Sequence, residues 1–336
     1  MKRVFSKPSV PNRLVHHGFL GAMGMTFWLA GVLSEGCFAQ INPHVAIQRD
    51  VAYGAAGNRP LLLDIVRPKQ EAKDPMPVVV FIHGGGWSGG NKQAGLPLLV
   101  PLAEKGYFCV SVGYRLTGES PWPAQLHDCK AAIRWLRANA PKYHLNPDKI
   151  GVWGASAGGH LALMVGLTSD QADLEGQSGS PGHSSRVACV VNWFGPTELL
   201  TAWKDPTLSP MVKNVLDQLV GGSAEQKQEV LQAASPLTYV SKDDPPVLTM
   251  HGTKDPIVPF SQATMFNEAM KKAGAVSYLV PVENAGHGFG GPEIFQRVHA
   301  FLDKYLRDQQ TVEISREPIR VPAKQEKKTL EKKKAA

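Results

Sequence analysis

Six short apolar runs punctuate the middle of the sequence: Val78–Ile82, Tyr107–Val112, Ile150–Trp153, Val187–Trp193, Val247–Met250 and Val276–Val280. None alternates polar with apolar residues as a half-exposed strand does, so each fits a strand covered on both faces. Between them the apolar residues recur at helical spacing, at about 92–104, 124–139, 157–168, 261–273 and 292–308. In the second of these, Ala131, Trp135 and Ala138 with Ile133 and Leu136 form one apolar face, and Pro141 ends it. Strands alternating with helices specify an α/β fold: a doubly wound, mostly parallel sheet. The weaker alternation at Val45–Val51 and Leu61–Val66 predicts a hairpin of two edge strands ahead of it. The rhythm breaks between 196 and 244. That stretch is read as a small cap-like insertion able to roof a site at the strand ends.

Charge divides the chain into three. It carries 36 Lys+Arg and 29 Asp+Glu, a net +7, of which +3 lies in residues 1–39 and +4 in 313–336. The span 40–312 is neutral, which argues against a nucleic-acid-binding face on the globular part. Residues 1–39 place a basic start before an uncharged run from Gly18 to Leu33, and Cys37-Phe38-Ala39 resembles a cleavage site before Gln40. The expectation is a signal peptide, a secreted or periplasmic protein, and no stable membrane span after cleavage, with a retained anchor as the alternative. Residues 40–312 form the folded domain. Residues 313–336, rich in Lys and Glu with few large apolar residues, read as a disordered basic tail. Cys109, Cys129 and Cys189 sit in apolar segments without metal-ligand spacing, so buried free thiols are expected, with no zinc site and no disulfide framework.

The chemistry concentrates in four turns. Gly154-Ala155-Ser156-Ala157-Gly158 joins the run Ile150–Trp153 to a helix opening at Gly158-Gly159-His160. A serine on such a strand-to-helix turn adopts a strained backbone that lifts its Oγ above the sheet, which makes Ser156 the candidate nucleophile. A serine hydroxyl needs a base to take its proton and donors to stabilise the oxyanion. Donors are available where His83-Gly84-Gly85-Gly86-Trp87 follows the run Val78–Ile82: the amides of Gly85 and Gly86, with that of Ala157, make the predicted oxyanion hole. His83 is read as a structural residue orienting this loop. The base and its orienter should follow in the chain order Ser, Asp, His. Asp255 lies in the loop after Val247–Met250, and His287 in the loop after Val276–Val280. Competing acids fit less well: Asp243 and Asp244 precede their strand, and Glu198 lies in the insertion. His251 is read as packing. Neither metal nor organic cofactor is called for by these residues.

These segments resemble the α/β-hydrolase superfamily. Within it the chain is similar to exported bacterial esterases of the bifunctional acetylxylan/feruloyl esterase group, and more distantly to kynurenine formamidases and hormone-sensitive-lipase-like esterases. The resemblance covers roughly residues 45–308. It rests on HGGGW at 83–87, DCKAAIRWLRANA at 128–140, GASAGGH at 154–160, HGTKDPIVP at 251–259 and GHGF at 286–289. Ala155 stands where hormone-sensitive-lipase relatives carry an acidic residue. The resemblance implies a secreted serine carboxylic ester hydrolase acting through an acyl-enzyme. Its substrate would be a small-molecule or polysaccharide ester with a short acyl group. A formamidase, amidase or peptidase of the same fold, or a non-catalytic binding module, are the alternatives. Trp87, Tyr114, Trp122 and Trp193 are candidates either for a sugar- or aryl-binding cleft or for core packing.

Overall fold

A computed structural model describes residues 42–321. Nine strands form one sheet: β1 (Val45–Ala56), β2 (Arg59–Pro68), β3 (Met76–Ile82), β4 (Phe108–Val112), β5 (Leu145–Ala155), β6 (Cys189–Trp193), β7 (Val247–Gly252), β8 (Ser277–Glu283) and β9 (Ile319–Arg320). Their order across the sheet is β1-β2-β4-β3-β5-β6-β7-β8-β9. β2 runs antiparallel to both its neighbours, and every other pairing is parallel. The helices are α1 (Leu96–Glu104), α2 (Ala124–Ala138), α3 (Ala140–Tyr143), α4 (Ala157–Leu167), α5 (Leu199–Lys204), α6 (Pro210–Val220), α7 (Gln228–Ala233), α8 (Ser261–Ala273) and α9 (Pro292–Leu306).

Successive side chains of a strand point to opposite faces, and here both faces are covered. Val78, Val80 and Ile82 of β3 pack with Val152 and the residues of α2, α4 and α8, while Val79 and Phe81 pack with Trp153 and the residues of α1 and α9. That double covering is why the runs read as unbroken apolar stretches. The fold is the expected doubly wound α/β sheet, with α5, α6 and α7 inserted between β6 and β7. No helix among the described residues is long and apolar enough to cross a membrane. Cys109, Cys129 and Cys189 are buried free thiols.

Two expectations are corrected. The hairpin β1–β2 forms, but only β1 is an edge, because β2 pairs with β4 along Leu63–Val66. The folded domain also extends past 312. Ile314 and Ile319 are buried, Arg316 lies over the ring of Tyr278 at 4.7 Å, and β9 adds to the open edge of β8. An unpaired strand edge recruits a short extended segment with little apolar content, a gain that composition does not report. The signal peptide expected at 1–39 and residues 322–336 lie outside the described residues.

Candidate active site

In a parallel sheet wound this way the loops leaving the strands' carboxyl ends converge, and all four chemically marked turns lie there. Ser156 occupies the turn between β5 and α4 with φ 56° and ψ −125°, a left-handed conformation forced by the immediate reversal from strand to helix. Its amide donates to the Trp193 carbonyl at 2.8 Å. A side chain at Gly154 would run into the Gly158 carbonyl, and one at Gly158 into the carbonyls of Ile82 and His83. The second contact brings the end of β3 against the serine turn. Glycine 84 completes it: a Cβ there would stand 2.7 Å from the Ala155 carbonyl and 3.2 Å from Ser156 Cβ.

The glycine loop is held by its flanking side chains. Gly85 and Gly86 have φ of 120° and 58°, and the Gly85 carbonyl accepts from the amides of Ser88 and Gly89, which closes the turn. The Gly85 and Gly86 amides donate to no group among the described residues, and Ala157, at the first position of α4, presents an amide with no helical acceptor. His83 is buried, stacks on Tyr114 and bonds through Nδ1 to the Gly84 carbonyl at 2.8 Å, while Tyr114 Oη donates to the His83 carbonyl. Burial pushes the imidazole down to about 4 against the raising effect of the Gly84 bond. It orients the loop, as expected, and is not available as a base.

Asp255, in the loop after β7, and His287, in the loop after β8, meet across two adjacent strand ends. His287 Nδ1 lies 2.8 Å from Asp255 Oδ2, and Nε2 lies 2.8 Å from Ser156 Oγ. Asp255 Oδ1 accepts from the amides of Ile257 and Val258 at 2.8 and 3.0 Å. Burial works against its charge, but bonds from His251, His287 and the Ile257 amide outweigh that and hold the carboxyl well below the usual range. An ionised carboxylate fixes the Nδ1–H tautomer, which leaves Nε2 as acceptor for the serine proton. Serine, imidazole and carboxylate thus form one continuous hydrogen-bonded series beside the glycine loop. The series can activate a hydroxyl for attack on a carbonyl.

A family model, BD-FAE, matches residues 63–270, which hold Ser156, Asp255 and the glycine loop. The chain belongs to the BD-FAE family. Relatives agree with this placement. Esterase LipC of Mycobacterium tuberculosis is 34% identical over 248 residues, covering 72% of this chain and 60% of the relative. This BD-FAE member therefore spans about three-fifths of that esterase's length. Among solved structures, a truncated carbohydrate esterase from gut microbiota superposes with a TM-score of 0.70 at 29% identity, covering 79% of this chain and 97% of that one. The propionate-bound esterase 2 of the planctomycete Thermogutta terrifontis gives 0.63 at 29% identity, covering 82% and 96%.

In this BD-FAE member the competing acids lie elsewhere. Asp244 accepts from Ser241 ahead of β7, and Glu198 caps α5 by accepting from the Thr201 amide. His251 does more than pack: it is fully buried, its Nε2 lies 2.8 Å from the Val258 carbonyl, and it stands 3.4 Å from Asp255 Oδ2. Sequence reasoning missed Phe194, whose ring stands edge-on to His287 at 4.8 Å, because nothing local marks a residue one past a strand. Trp87, Tyr114, Trp122 and Trp193 are all buried, which places them in the interior rather than on the wall of an open cleft.

Proposed function

We propose that this protein is a secreted serine carboxylic ester hydrolase that removes short acyl groups from carbohydrate-linked esters. The observation that carries the reading is the hydrogen-bonded series Ser156–His287–Asp255 beside the free amides of the glycine loop. In this reading Ser156 Oγ attacks the ester carbonyl and its proton passes to His287 Nε2. The amides of Gly85, Gly86 and Ala157 stabilise the oxyanion, and His287 returns the proton to the departing alcohol. Water, deprotonated by the same imidazole, then releases the acyl group from Ser156. Asp255 keeps the imidazole in the working tautomer and stabilises its charge.

The substrate class rests on the surroundings of the loop. Val215 of α6 lies 3.2 Å from where a Cβ on Gly86 would stand, so the insertion crowds the oxyanion side and favours a small acyl group. Past α6, an open cleft of about 570 Å³ is lined by Thr117, Gly118, Asp217, Gln218, Gly221, Gly222 and Ser223. Asp217, Gln218 and Ser223 offer it polar partners for a sugar alcohol. The likeness to a carbohydrate esterase and to a propionate-bound esterase points the same way. Export, read from residues 1–39, matches a polymeric substrate that does not enter cells.

Hydrolysis of p-nitrophenyl esters from acetyl to decanoyl, together with acetate release from acetylated xylan oligomers, tests the reading. Turnover should fall steeply beyond butyryl, acetate should be released, and Ser156→Ala should abolish both. A preference for decanoyl esters without acetate release would move the enzyme to the lipases. No turnover at all by the wild type would favour a non-catalytic module.

A further inference from the structure

His160 lies on α4, one turn past Ser156, and is fully buried. The Trp87 indole Nε1 donates to His160 Nδ1 at 3.2 Å. An indole nitrogen only donates, so Nδ1 carries no proton and Nε2 does. That Nε2–H donates to the Ala234 carbonyl at 2.6 Å, at the end of α7. Both ring nitrogens are thereby used, and the rings of Trp87 and Trp122 stand against the imidazole at 5.0 and 5.7 Å. Burial pushes it down to about 4, so it stays neutral where enzymes of this kind work.

Trp87 directly follows Gly86 and itself holds a left-handed φ of 56°, a strained state for a bulky side chain that persists only when its surroundings impose it. Two bonds impose it: the Thr117 amide to the Trp87 carbonyl at 2.9 Å, and the indole to His160. We propose that His160 is a positioning residue for the oxyanion hole, acting through the Trp87 indole and tying the glycine loop to the nucleophile helix and to the insertion at Ala234. The inference rests on the hydrolase reading above.

Steady-state kinetics of the full chain on p-nitrophenyl acetate test it, with Trp87→Phe, His160→Gln, His160→Phe and the Trp87→Phe/His160→Phe pair. Misplacing the amides should lower kcat roughly ten- to hundredfold in Trp87→Phe and His160→Phe, with KM within about threefold of wild type. The pair should be no worse than its poorer member, since both changes break one bond. His160→Gln, which keeps an acceptor and a donor, should recover most of the loss. A trifluoromethyl ketone, bound as a tetrahedral oxyanion, should weaken by the same factor as kcat, a readout that general loosening would not track. If His160→Phe fails to fold, Trp87→Phe and His160→Gln decide. Wild-type kcat in a folded Trp87→Phe enzyme, a loss confined to KM, or multiplying effects in the pair would overturn the inference while Ser156-dependent turnover stood. Turnover independent of Ser156 would instead sink the hydrolase reading and this inference with it.

Discussion

The turns at the carboxyl end of the sheet and the loop 168–188 along α2 are both irregular, and they are held in opposite ways. The glycine loop is fixed by neutral groups: buried His83 and His160, Tyr114 and an indole. The loop 168–188 is fixed by charge. Lys130 Nζ, fully buried, donates to the Thr168 carbonyl at 2.6 Å and to Glu175 at 3.0 Å. Arg134 donates to the carbonyl and carboxylate of Glu175 and to the Ser178 carbonyl, each at 2.7 Å. Burial works against the Lys130 charge and lowers its pKa, while Glu175 is held low by Ser185 and the two cations against its own burial. Fixed charges beside a reacting carbonyl would bias the oxyanion and the imidazole alike. Neutral supports hold backbone amides in place without adding a field of their own. At a purely structural loop that restriction is absent.

The largest effect that separates the two regions is on turnover. Asp255→Asn keeps the shape of the acid loop but removes the carboxylate that sets the imidazole tautomer, so kcat should fall by about four orders of magnitude. Kinetics on p-nitrophenyl acetate, with circular dichroism confirming the fold, check this. Asp243→Asn should leave the rate near wild type. The reverse result would move the acid to the other end of β7.

Arg134→Ala should do the opposite. It removes one of the two cations on Glu175 and leaves two loop carbonyls without their donor, a loss of about 2–3 kcal/mol. Urea unfolding should show that loss, while kcat of the folded enzyme stays within about twofold of wild type, because no contact of Arg134 reaches the site. Arg134→Met combined with Glu175→Gln should lose less than Arg134→Ala alone. A large fall in kcat would mean that the loop reaches the active site after all.

Acid separates the regions again. His83 and His160, each held at about 4 by burial, are neutral in the folded chain. Below the ordinary histidine value the unfolded chain therefore binds protons that the folded chain refuses. This stability is intact above about pH 6.5, declines as the pH falls toward 4 and levels off below, at about 3 kcal/mol for each ring. Unfolding midpoints between pH 7 and 4 should show the decline, and His160→Gln should flatten part of it. Arg134→Ala should lower the curve without changing its slope above about pH 5.5, where the carboxylates are ionised in both folded and unfolded chains. An unchanged slope in His160→Gln would contradict the burial argument.

What was legible in the sequence follows the same division. The strand runs, the serine turn and the placement of Asp255 and His287 declare themselves locally, because unbroken apolar strands and turn glycines depend on neighbours within a few positions. The Trp87–His160 bond spans 73 residues, and no local pattern announces it. Lys130 and Arg134 were illegible for another reason. Charged residues on an amphipathic helix face water by default, and only the loop folded over α2 buries them. The four aromatics were undecided because Trp and Tyr serve clefts and cores alike.

The smallest effect concerns the edge of the sheet, where composition misled. Residues 313–321 carry few apolar groups, yet Ile314 and Ile319 are buried, the Val321 amide donates to the Glu283 carbonyl and Arg297 reaches the carbonyls of Ser315 and Glu317. Burying one such isoleucine contributes about 2 kcal/mol, and an edge strand two residues long retains only part of that when its ends fray. Truncation after Val321 should leave the urea midpoint unchanged. Truncation after Val312 should lower stability by about 2 kcal/mol, since it removes both isoleucines and reopens the edge of β8. Glu283, which β9 covers, lies four residues before His287 on the same strand-to-loop segment. The longer truncation should therefore also lower kcat, by no more than about threefold, through a looser imidazole loop. Equal midpoints for the two truncations would show that β9 adds nothing to the fold.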